Sequence, residues 1–484
     1  MERMKSMNRN NSKSTKSTKK KKMEEPVVGS TVCHKYLLTK FINQGSFGKI
    51  YVAKNTLTNV EYAAKIEKVY KNEVNEFYET LLKEAKILYE LNGKKGFPKM
   101  IYLLKEGGYT CMIMTLLGEN IEDLFNLCKK KFKPTTIVKL AIEMIELLRR
   151  FHREGYIHRD IKPENFMFGK DNNEDDLFLI DFGLSKKYLN ENGTHIKQNK
   201  NSTMIGTIRF TSINSHLGYE HCRKDDLESL GYVFVFLFNG GVLPWMNQNQ
   251  ITNKADRHKR IAEIKMSIPN DVLFQGLPSE FLQYMIYIKG LKFEDEPNYD
   301  FLINLFTKLN SKDSSKKKFA FDWKKMNNYE ENITLIRKNT IEKNSKKLFN
   351  FKEKKLEGNL LEEEEENNKS QPSDNSLFVD HIDAQEQIEL YRFAEILKNT
   401  IEEENKNERK EKILDFEKKK TTYVGTTATQ TDSKNLNKCS SNEYEKRRSE
   451  DLSERQINEY LNSEITLLTS MKSLETLKGT FFLD

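Results

Sequence analysis

Cysteine is scarce in this 484-residue sequence, and its spacing argues against the usual cysteine-based sites. The five cysteines are Cys33, Cys111, Cys128, Cys222 and Cys439. No two of them form a Cys-x-x-Cys pair, so the sequence predicts neither a zinc site nor a disulfide framework. Reduced thiols in an intracellular protein are the expectation.

Long apolar runs are also missing. The longest wholly apolar stretch, Tyr232 to Phe238, is seven residues, whereas a bilayer-spanning helix needs about 20. The N-terminus has no apolar signal-peptide core, and Glu2 takes the place of the glycine that myristoylation requires. The sequence therefore predicts no membrane insertion and a location in the cytoplasm, the nucleus or both.

The apolar content is low for a single packed body. Hydrophobic residues make up 37% of the chain and charged residues 31%, with a net charge of +8. Part of the length is therefore expected to lie outside any core. The basic excess is modest for this length, so DNA or RNA is not predicted as a partner.

Shifts in composition divide the chain into three parts. Residues 1–33 are rich in Lys, Asn, Ser and Thr, which fits either a solvated tail or a patch for nuclear import or anionic surfaces. Residues 34–326 carry the apolar patterns of a folded domain. Residues 327–484 are charged and largely disordered by composition, with short helices predicted near 382–403 and 460–478 that are either docking or transient helices.

The folded part has a β-like sequence pattern followed by a helical one, and together they predict an α+β protein. Short β-like runs with Gly or Asn turns and one helix over Glu76–Leu91 precede about residue 117. Beyond about residue 118 the pattern turns helical, with two short strands around a polar hairpin. The predicted helices there are Ile121–Cys128, Ile137–His152, Asp226 to about 239, Asp256–Met266 and Ser279–Lys308.

A glycine-rich turn follows the first β-like runs. In Gly45-Ser46-Phe47-Gly48 the glycines would let backbone N–H groups approach phosphate oxygens. Such turns are common in hairpins, so the signal is weak alone. Further on, Lys65 at a strand end precedes a helix bearing Glu84. A phosphate-clamping lysine needs such an anion to hold it, which favours a functional pair over a solvated surface lysine.

The most specific signal is His158-Arg159-Asp160-Ile161-Lys162-Pro163-Glu164-Asn165 followed by Asp181-Phe182-Gly183. The Asp160 carboxylate suits a proton acceptor for an attacking hydroxyl, and Lys162 suits neutralisation of a phosphoryl group. Asn165 and Asp181 supply hard oxygen ligands for Mg²⁺. Each residue alone is more often a surface polar group, but this order and spacing indicates phosphoryl transfer.

These motifs resemble those of the casein kinase 1 family of Ser/Thr protein kinases. The resemblance covers about residues 34–326. Besides the stretches above, it rests on Leu116-Leu117-Gly118, Ile121 to Asn126, Gly183 to Tyr188, Ser212 to Gly218, Asp225 to Tyr232, Gly276 to Phe281 and Phe321-Asp322-Trp323.

The resemblance implies a bilobal protein-kinase fold, with an N-lobe over about 34–117 and a C-lobe over about 118–326. It implies ATP and Mg²⁺ as cofactors, Asp160, Lys162, Lys65 and Glu84 as catalytic residues, and Asn165 and Asp181 as metal ligands. Asp226 would brace the catalytic loop. The residues that would contact the nucleotide are Ile42, Gly45, Ser46, Phe47, Gly48, Ile50, Ala63, Lys65, Met114, Leu117 and Asn165.

The resemblance also implies the substrates. Protein Ser or Thr hydroxyls in acidic or already phosphorylated sequences are expected, acted on by a monomeric catalytic domain. Arg209 and Lys186 match cations of a substrate phosphate pocket, and Lys200 fits either that pocket or a solvated surface.

The sequence departs from the family at several places. Asn43 replaces the first loop glycine, Thr115 replaces a glutamate before the hinge, and Met204-Ile205 is read as an insertion before the pocket. Asn and Gln occupy 247–250, where basic residues are expected, so a preference for primed substrates is predicted to be weaker than the family's. The alternative to an active enzyme is a kinase-fold scaffold without turnover.

Overall fold

The computed structural model of the chain describes residues 25–45, 48–71, 77–78, 80–106, 108–200, 204–248, 250–311 and 320–326, and positions 329, 331, 333–335 and 338. Ser46, Phe47 and the helices predicted near 382–403 and 460–478 lie outside this described part. The three-part domain division stays a prediction.

Strands and one helix make up the N-terminal part. The strands are β1 (Thr31–Val32), β2 (Tyr36–Gly45), β3 (Gly48–Asn55), β4 (Glu61–Lys68), β5 (Tyr70–Lys71), β6 (Phe77–Tyr78), β7 (Met100–Glu106) and β8 (Tyr109–Thr115), and the helix is α1 (Thr80–Glu90). One antiparallel sheet has the order β1-β2-β3-β4-β8-β7, and β5 pairs with β6. Strand β2 has two irregularities in its pairing with β3, between Leu38 and Lys40 and between Phe41 and Asn43.

Helices dominate the C-terminal part. They are α2 (Ile121–Leu127), α3 (Pro134–Arg153), α4 (Ile213–His216), α5 (Arg223–Phe238), α6 (Lys254–Ser267), α7 (Asn270–Leu273), α8 (Ser279–Gly290) and α9 (Tyr299–Ser311). The strands are β9 (Tyr156–Ile157), β10 (Phe166–Phe168), β11 (Leu177–Leu179) and β12 (Lys186–Lys187), with 3₁₀ turns at Pro163–Asn165, Asp171–Asn173, Phe182–Leu184 and Trp323–Lys325. Among the described residues, no helix has both the length and the apolar character needed to cross a membrane.

Helix α3 forms because its apolar residues recur at helical spacing. Pro134 occupies its first turn, where the missing N–H has no partner to lose. The apolar side chains on its core face are buried: Ile137, Leu140, Ala141, Met144, Leu148 and Phe151. Helix α5 is buried on nearly all sides from Asp225 to Leu237. Its C-terminal half, the run Tyr232–Phe238, is apolar all round, as expected of a buried helix.

The predicted start of α1 at Glu76 is wrong. The helix begins at Thr80, and Phe77–Tyr78 instead pairs with β5. Glu67, on β4, accepts a hydrogen bond from the backbone N–H of Leu81 at 2.6 Å. A side chain from a neighbouring strand thus satisfies one of the free N–H groups of the first turn.

The single helix predicted over Ser279–Lys308 is also wrong. Helices α8 and α9 are separated by residues 291–298. Pro297 lacks the N–H that a continuous helix would use, and it disfavours helical backbone at the preceding residue. The apolar period alone did not reveal this break.

Candidate active site

The loop between β9 and β10 places Asp160 at the centre of several short contacts. Its carboxylate accepts a hydrogen bond from the backbone N–H of Thr207 at 2.7 Å and one from Lys162 Nζ at 2.5 Å. The Asn165 amide nitrogen donates to the Asp160 backbone carbonyl at 2.8 Å and lies 3.4 Å from its carboxylate. Three of the predicted residues therefore meet in one buried loop.

The Asp226 carboxylate, on α5, supports this loop through its backbone. It accepts the N–H groups of His158 at 2.7 Å and of Arg159 at 2.8 Å. Arg159 has a φ of +67°, a left-handed conformation that costs free energy in a residue with a side chain. The two hydrogen bonds offset that cost, and the prediction that Asp226 braces the loop is confirmed.

His152 extends the network on the other side of Asp226. Its Nε2 lies 2.9 Å from the Asp226 carboxylate and its Nδ1 2.5 Å from the Tyr299 hydroxyl. Burial lowers the pKa of His152. Burial alone would raise the pKa of Asp226, but its hydrogen bond with His152 lowers it below its ordinary value. His152 is therefore a neutral imidazole, and Asp226 is a carboxylate. The imidazole donates its Nε2–H to Asp226 and accepts a hydrogen bond from the Tyr299 hydroxyl at Nδ1.

Lys65 joins the sheet, helix α1 and the Asp181 side chain. Its Nζ lies 2.6 Å from the Glu84 carboxylate and 3.0 Å from that of Asp181. Burial alone would lower the pKa of Lys65, but Asp181 and Glu84 raise it above its ordinary value. The ammonium is thus charged at neutral pH, and the Asp181 side chain keeps 31% of its surface exposed.

Strand register places several predicted nucleotide contacts on the Lys65 face of the sheet. Residues directly opposite in an antiparallel pair point to the same face. Ile50 lies opposite Lys65, and Ala63 lies opposite Met114 two positions before Lys65. Ile50, Ala63, Met114 and Lys65 therefore share one surface.

The remaining predicted nucleotide residues border this surface. Gly45 pairs with Gly48 at the end of the β2–β3 hairpin, and Ile42 lies at a bulge in β2. Gly48 has a φ of +146°, and a Cβ there would come 2.4 Å from the Ile66 carbonyl oxygen, so glycine is required. Leu117 follows β8 in the segment that joins the two lobes.

Aromatic packing fixes the backbone beside Asp181. Phe182 is buried, and its ring centroid lies 5.2 Å from that of Phe151 and 5.8 Å from that of His158. His158 Nε2 lies 2.9 Å from the carbonyl oxygen of Ile180. Asp181 has a φ of +66° between these anchors, so its carboxylate points into the cleft from a constrained backbone.

Lys65 and its partner Glu84, in the N-terminal part, therefore face the loop of the C-terminal part that carries Asp160, Lys162 and Asn165. A family model for the protein kinase domain matches residues 36–350, about two thirds of the chain. The chain belongs to the protein kinase family. The predicted bilobal α+β kinase fold is confirmed, and the family supports transfer of phosphate to proteins.

Two of the three cations predicted to bind substrate phosphate are paired with carboxylates in this kinase. Arg209 lies 3.2 Å from the Glu164 carboxylate and stacks over Phe210. Lys186 lies 3.0 Å from the Glu220 carboxylate. Lys200 is exposed, with its Nζ 5.5 Å from the Tyr219 ring centroid. No contact joins the three within the described residues, so their action as one pocket stays a prediction.

Sequence reasoning missed two supports of the kinase site. Gly206 has a φ of +92°, and a Cβ there would come 2.4 Å from the Arg159 carbonyl oxygen, so glycine lets Thr207 reach Asp160. Glu67 anchors the start of α1, the helix that carries Glu84, and burial raises its pKa to about 7. The sequence around Gly206 and around Glu67 has no pattern that predicts these contacts. The one available signal was that Gly206 lies close in sequence to Arg209, a predicted site residue.

Thr115, one of the departures from the family pattern, has a structural contact. Its hydroxyl accepts a hydrogen bond from the backbone N–H of Lys99 at 3.0 Å. This bond ties the end of β8 to the start of β7 just before the segment that joins the lobes.

Proposed function

We propose that this kinase is an active Ser/Thr kinase of the casein kinase 1 type, which transfers the γ-phosphate of ATP to acidic or phosphate-primed proteins. The observation that carries the proposal is the convergence of two contact sets on one cleft. Glu84, Lys65 and Asp181 form the first, and Asp160 and Lys162 belong to the second. Nothing in these contacts requires a covalent intermediate.

The proposed chemistry assigns a task to each side chain. Asp160 orients the acceptor hydroxyl and takes its proton, and the ammonium of Lys162 neutralises charge on the transferred group. Lys65 holds the α- and β-phosphates, and Glu84 keeps it in place. Catalysis is then positioning and charge neutralisation by preorganised groups.

The donor set of the cleft fits Mg²⁺. Asp181 offers a partly exposed carboxylate. The Asn165 amide nitrogen donates a hydrogen bond to the Asp160 carbonyl oxygen, so the side-chain oxygen of Asn165 points away from Asp160. Mg²⁺ binds through one or two such oxygens together with substrate phosphates and water. When bound, the ion would neutralise phosphate charge, and Asp181 and Asn165 are the residues proposed to hold it.

The finer assignments rest on particular residues. Lys162, two positions after Asp160, is typical of Ser/Thr specificity in the resembling family. Ser212-Ile213-Asn214 and the Asp225 to Tyr232 stretch favour the casein kinase 1 branch. Arg209, Lys186 and Lys200 favour anionic substrates, with Glu164 and Glu220 as the partners that a substrate phosphate would have to displace.

The direct test is phosphorylation of casein with γ-labelled ATP, followed by phosphoamino-acid analysis. Label in phosphoserine or phosphothreonine is expected, and it should depend on added Mg²⁺. Label in phosphotyrosine would contradict the Ser/Thr assignment. Transfer to a basic peptide at the same rate as to casein would contradict the acidic-substrate assignment.

The variant Arg209→Ala should discriminate between two kinds of peptide. We expect its kcat/KM to fall roughly tenfold on a phosphate-primed peptide, because a charge-assisted contact is worth on the order of 1.5–3 kcal/mol. On an unprimed acidic peptide the loss should be smaller. Arg260→Ala, which removes an exposed arginine paired with Glu263, is the matched control. Equal losses of kcat/KM on both peptides would contradict the assignment of Arg209 to the phosphate pocket.

A further inference from the structure

A buried lysine from α6 holds the chain segment next to the active site. Lys265 has 2% of its surface exposed. Its Nζ lies 2.9 Å from the carbonyl oxygen of Ile208 and 2.7 Å from that of Thr211. The two carbonyls bracket Arg209, so one ammonium fixes both ends of a four-residue turn.

The surroundings of this ammonium are unusual for a buried charge. No carboxylate in the described part of the chain makes an ion pair with it. Its Nζ instead lies 5.1 Å from the ring centroids of both Tyr232 and Trp245. Burying a lysine this way is costly, and burial lowers the pKa of Lys265 to about 7, while Glu228 nearby raises it. A costly group with well-formed contacts is more often found at functional sites than in ordinary cores.

Two neighbours of Lys265 hold the same segment. The indole N–H of Trp245 donates to the Arg209 carbonyl oxygen at 2.8 Å. The Glu228 carboxylate accepts the backbone N–H of Ile213 at 3.0 Å and the Tyr232 hydroxyl at 2.6 Å. The backbone from 208 to 213 is therefore held by side chains of the helical lobe.

This segment continues directly from the contact with the catalytic loop. The Thr207 N–H binds Asp160, and the Thr207 hydroxyl lies 3.4 Å from Lys162 Nζ. A loosened Ile208 carbonyl would release Thr207 and the Arg209 side chain together. Lys65 and Asp181, on the nucleotide side, make no contact with this segment in the described residues.

We infer that Lys265 is a positioning residue for the protein substrate, which holds residues 208–211 so that Thr207 meets Asp160 and Arg209 faces the acceptor sequence. The inference rests on the proposed kinase activity and adds a residue to it. It requires substrate binding to depend on Lys265 and nucleotide binding to be independent of it.

Kinetics of Lys265→Met and Lys265→Arg test the inference. Met keeps the length and removes the donors, so the KM for an acidic peptide should rise roughly tenfold while the KM for ATP stays within about twofold. Arg keeps a charge and donors and should restore much of the peptide KM. Lys259→Met, an exposed lysine on the same helix, should match wild type. Equal changes in both KM values, or none, would overturn the inference.

The pH profile of the wild-type kinase is a readout that needs no variant. As pH rises through about 7 the ammonium of Lys265 becomes an amine, whose two N–H groups donate more weakly to the two carbonyls. The peptide KM should therefore rise, while the ATP KM should not follow. The titratable and charged groups near Lys265 are Glu228 and Tyr232 on α5 and His216 on α4, and His216 in turn lies near His258 on α6. Burial lowers the pKa of His216 to about 3 and that of His258 below its ordinary value, which separates them from Lys265. A peptide KM that falls as pH rises, or an ATP KM that rises with it, would contradict the inference.

Hydrogen–deuterium exchange separates this inference from the proposed function. Amides of residues 208–213 should exchange faster in Lys265→Met than in wild type, with melting curves as the check on global folding. Faster exchange with an inactive wild type would refute the proposed function and leave the hold on this segment supported. Unchanged exchange at these amides would refute the inference that Lys265 holds this segment, whether or not the protein is active.

Discussion

Replacing Asp160 by Asn should lower phosphotransfer to casein by at least a hundredfold, the largest catalytic effect expected in this chain. Asn can still accept the Thr207 N–H, which lies 2.7 Å from the carboxylate. It cannot take a proton from the acceptor hydroxyl, and general-base catalysis is worth about 10²–10⁴ in rate. It also removes the charge that pairs with Lys162. The measurement is kcat with saturating ATP and peptide, with nucleotide affinity measured separately and expected to stay near wild type.

Asp171→Asn is a matched control for this variant. Asp171 lies on the exposed hairpin between β10 and β11, with a φ of +55° that Asn tolerates well. It should keep wild-type kcat. If Asp160→Asn and wild type instead gave the same background rate, the kinase-fold scaffold would be the correct account of this chain.

Replacing Asp226 by Asn should cause the largest loss of stability. The carboxylate accepts from the backbone N–H groups of His158 and Arg159 and from His152 Nε2. An amide has only one oxygen, so one of these buried donors would face an N–H₂ group. We expect the free energy of unfolding to fall by about 3 kcal/mol or more, because an unsatisfied buried donor and a lost charged hydrogen bond each cost on the order of 1–3 kcal/mol. Urea denaturation measures it.

The pH dependence gives this prediction a second check. Because the folded pKa of Asp226 lies below its ordinary value of 3.8, its contribution is present above that value and is lost as pH falls through the folded pKa. The difference between wild type and Asp226→Asn should therefore shrink below about pH 4. Asp300→Asn, which removes a surface partner of Arg149, should change stability by no more than about 1 kcal/mol. An equally small change in stability for Asp226→Asn would contradict the conclusion that Asp226 braces the catalytic loop.

The elements predicted best are those with a strong local pattern. The apolar period of α3 and short strands at Phe166–Phe168 and Leu177–Ile180 were predicted from the sequence. The structure has the helix, and its strands span Phe166–Phe168 and Leu177–Leu179. The errors came where a non-local contact or a single residue broke a pattern. Residues 291–298, which include Pro297, divide the apolar stretch that was predicted as one helix. Glu67, on a neighbouring strand, binds the first turn of α1.

The predicted catalytic residues come together for a physical reason that the sequence contains. Asp160, Lys162 and Asn165 lie on one short loop, so local chain geometry already keeps them close. Their roles in transfer stay predictions that the kinetics above test. The predicted phosphate pocket depends on the distant residues Arg209 and Lys186, and no role was predicted for the carboxylates that pair with them, Glu164 and Glu220.

The sequence by itself determined that this chain is built as a kinase, because the residues of its catalytic loop and the Asp181-Phe182-Gly183 turn are adjacent or nearly so. Only the tertiary structure decided what holds them. Asp226 reaches the catalytic loop from α5, and Lys265 reaches the carbonyls of Ile208 and Thr211 from α6. A contact between a side chain and a distant backbone group produces no recognisable sequence pattern. Nearly every residue has the same backbone N–H and C=O groups, so only the fold decides which of them the side chain binds.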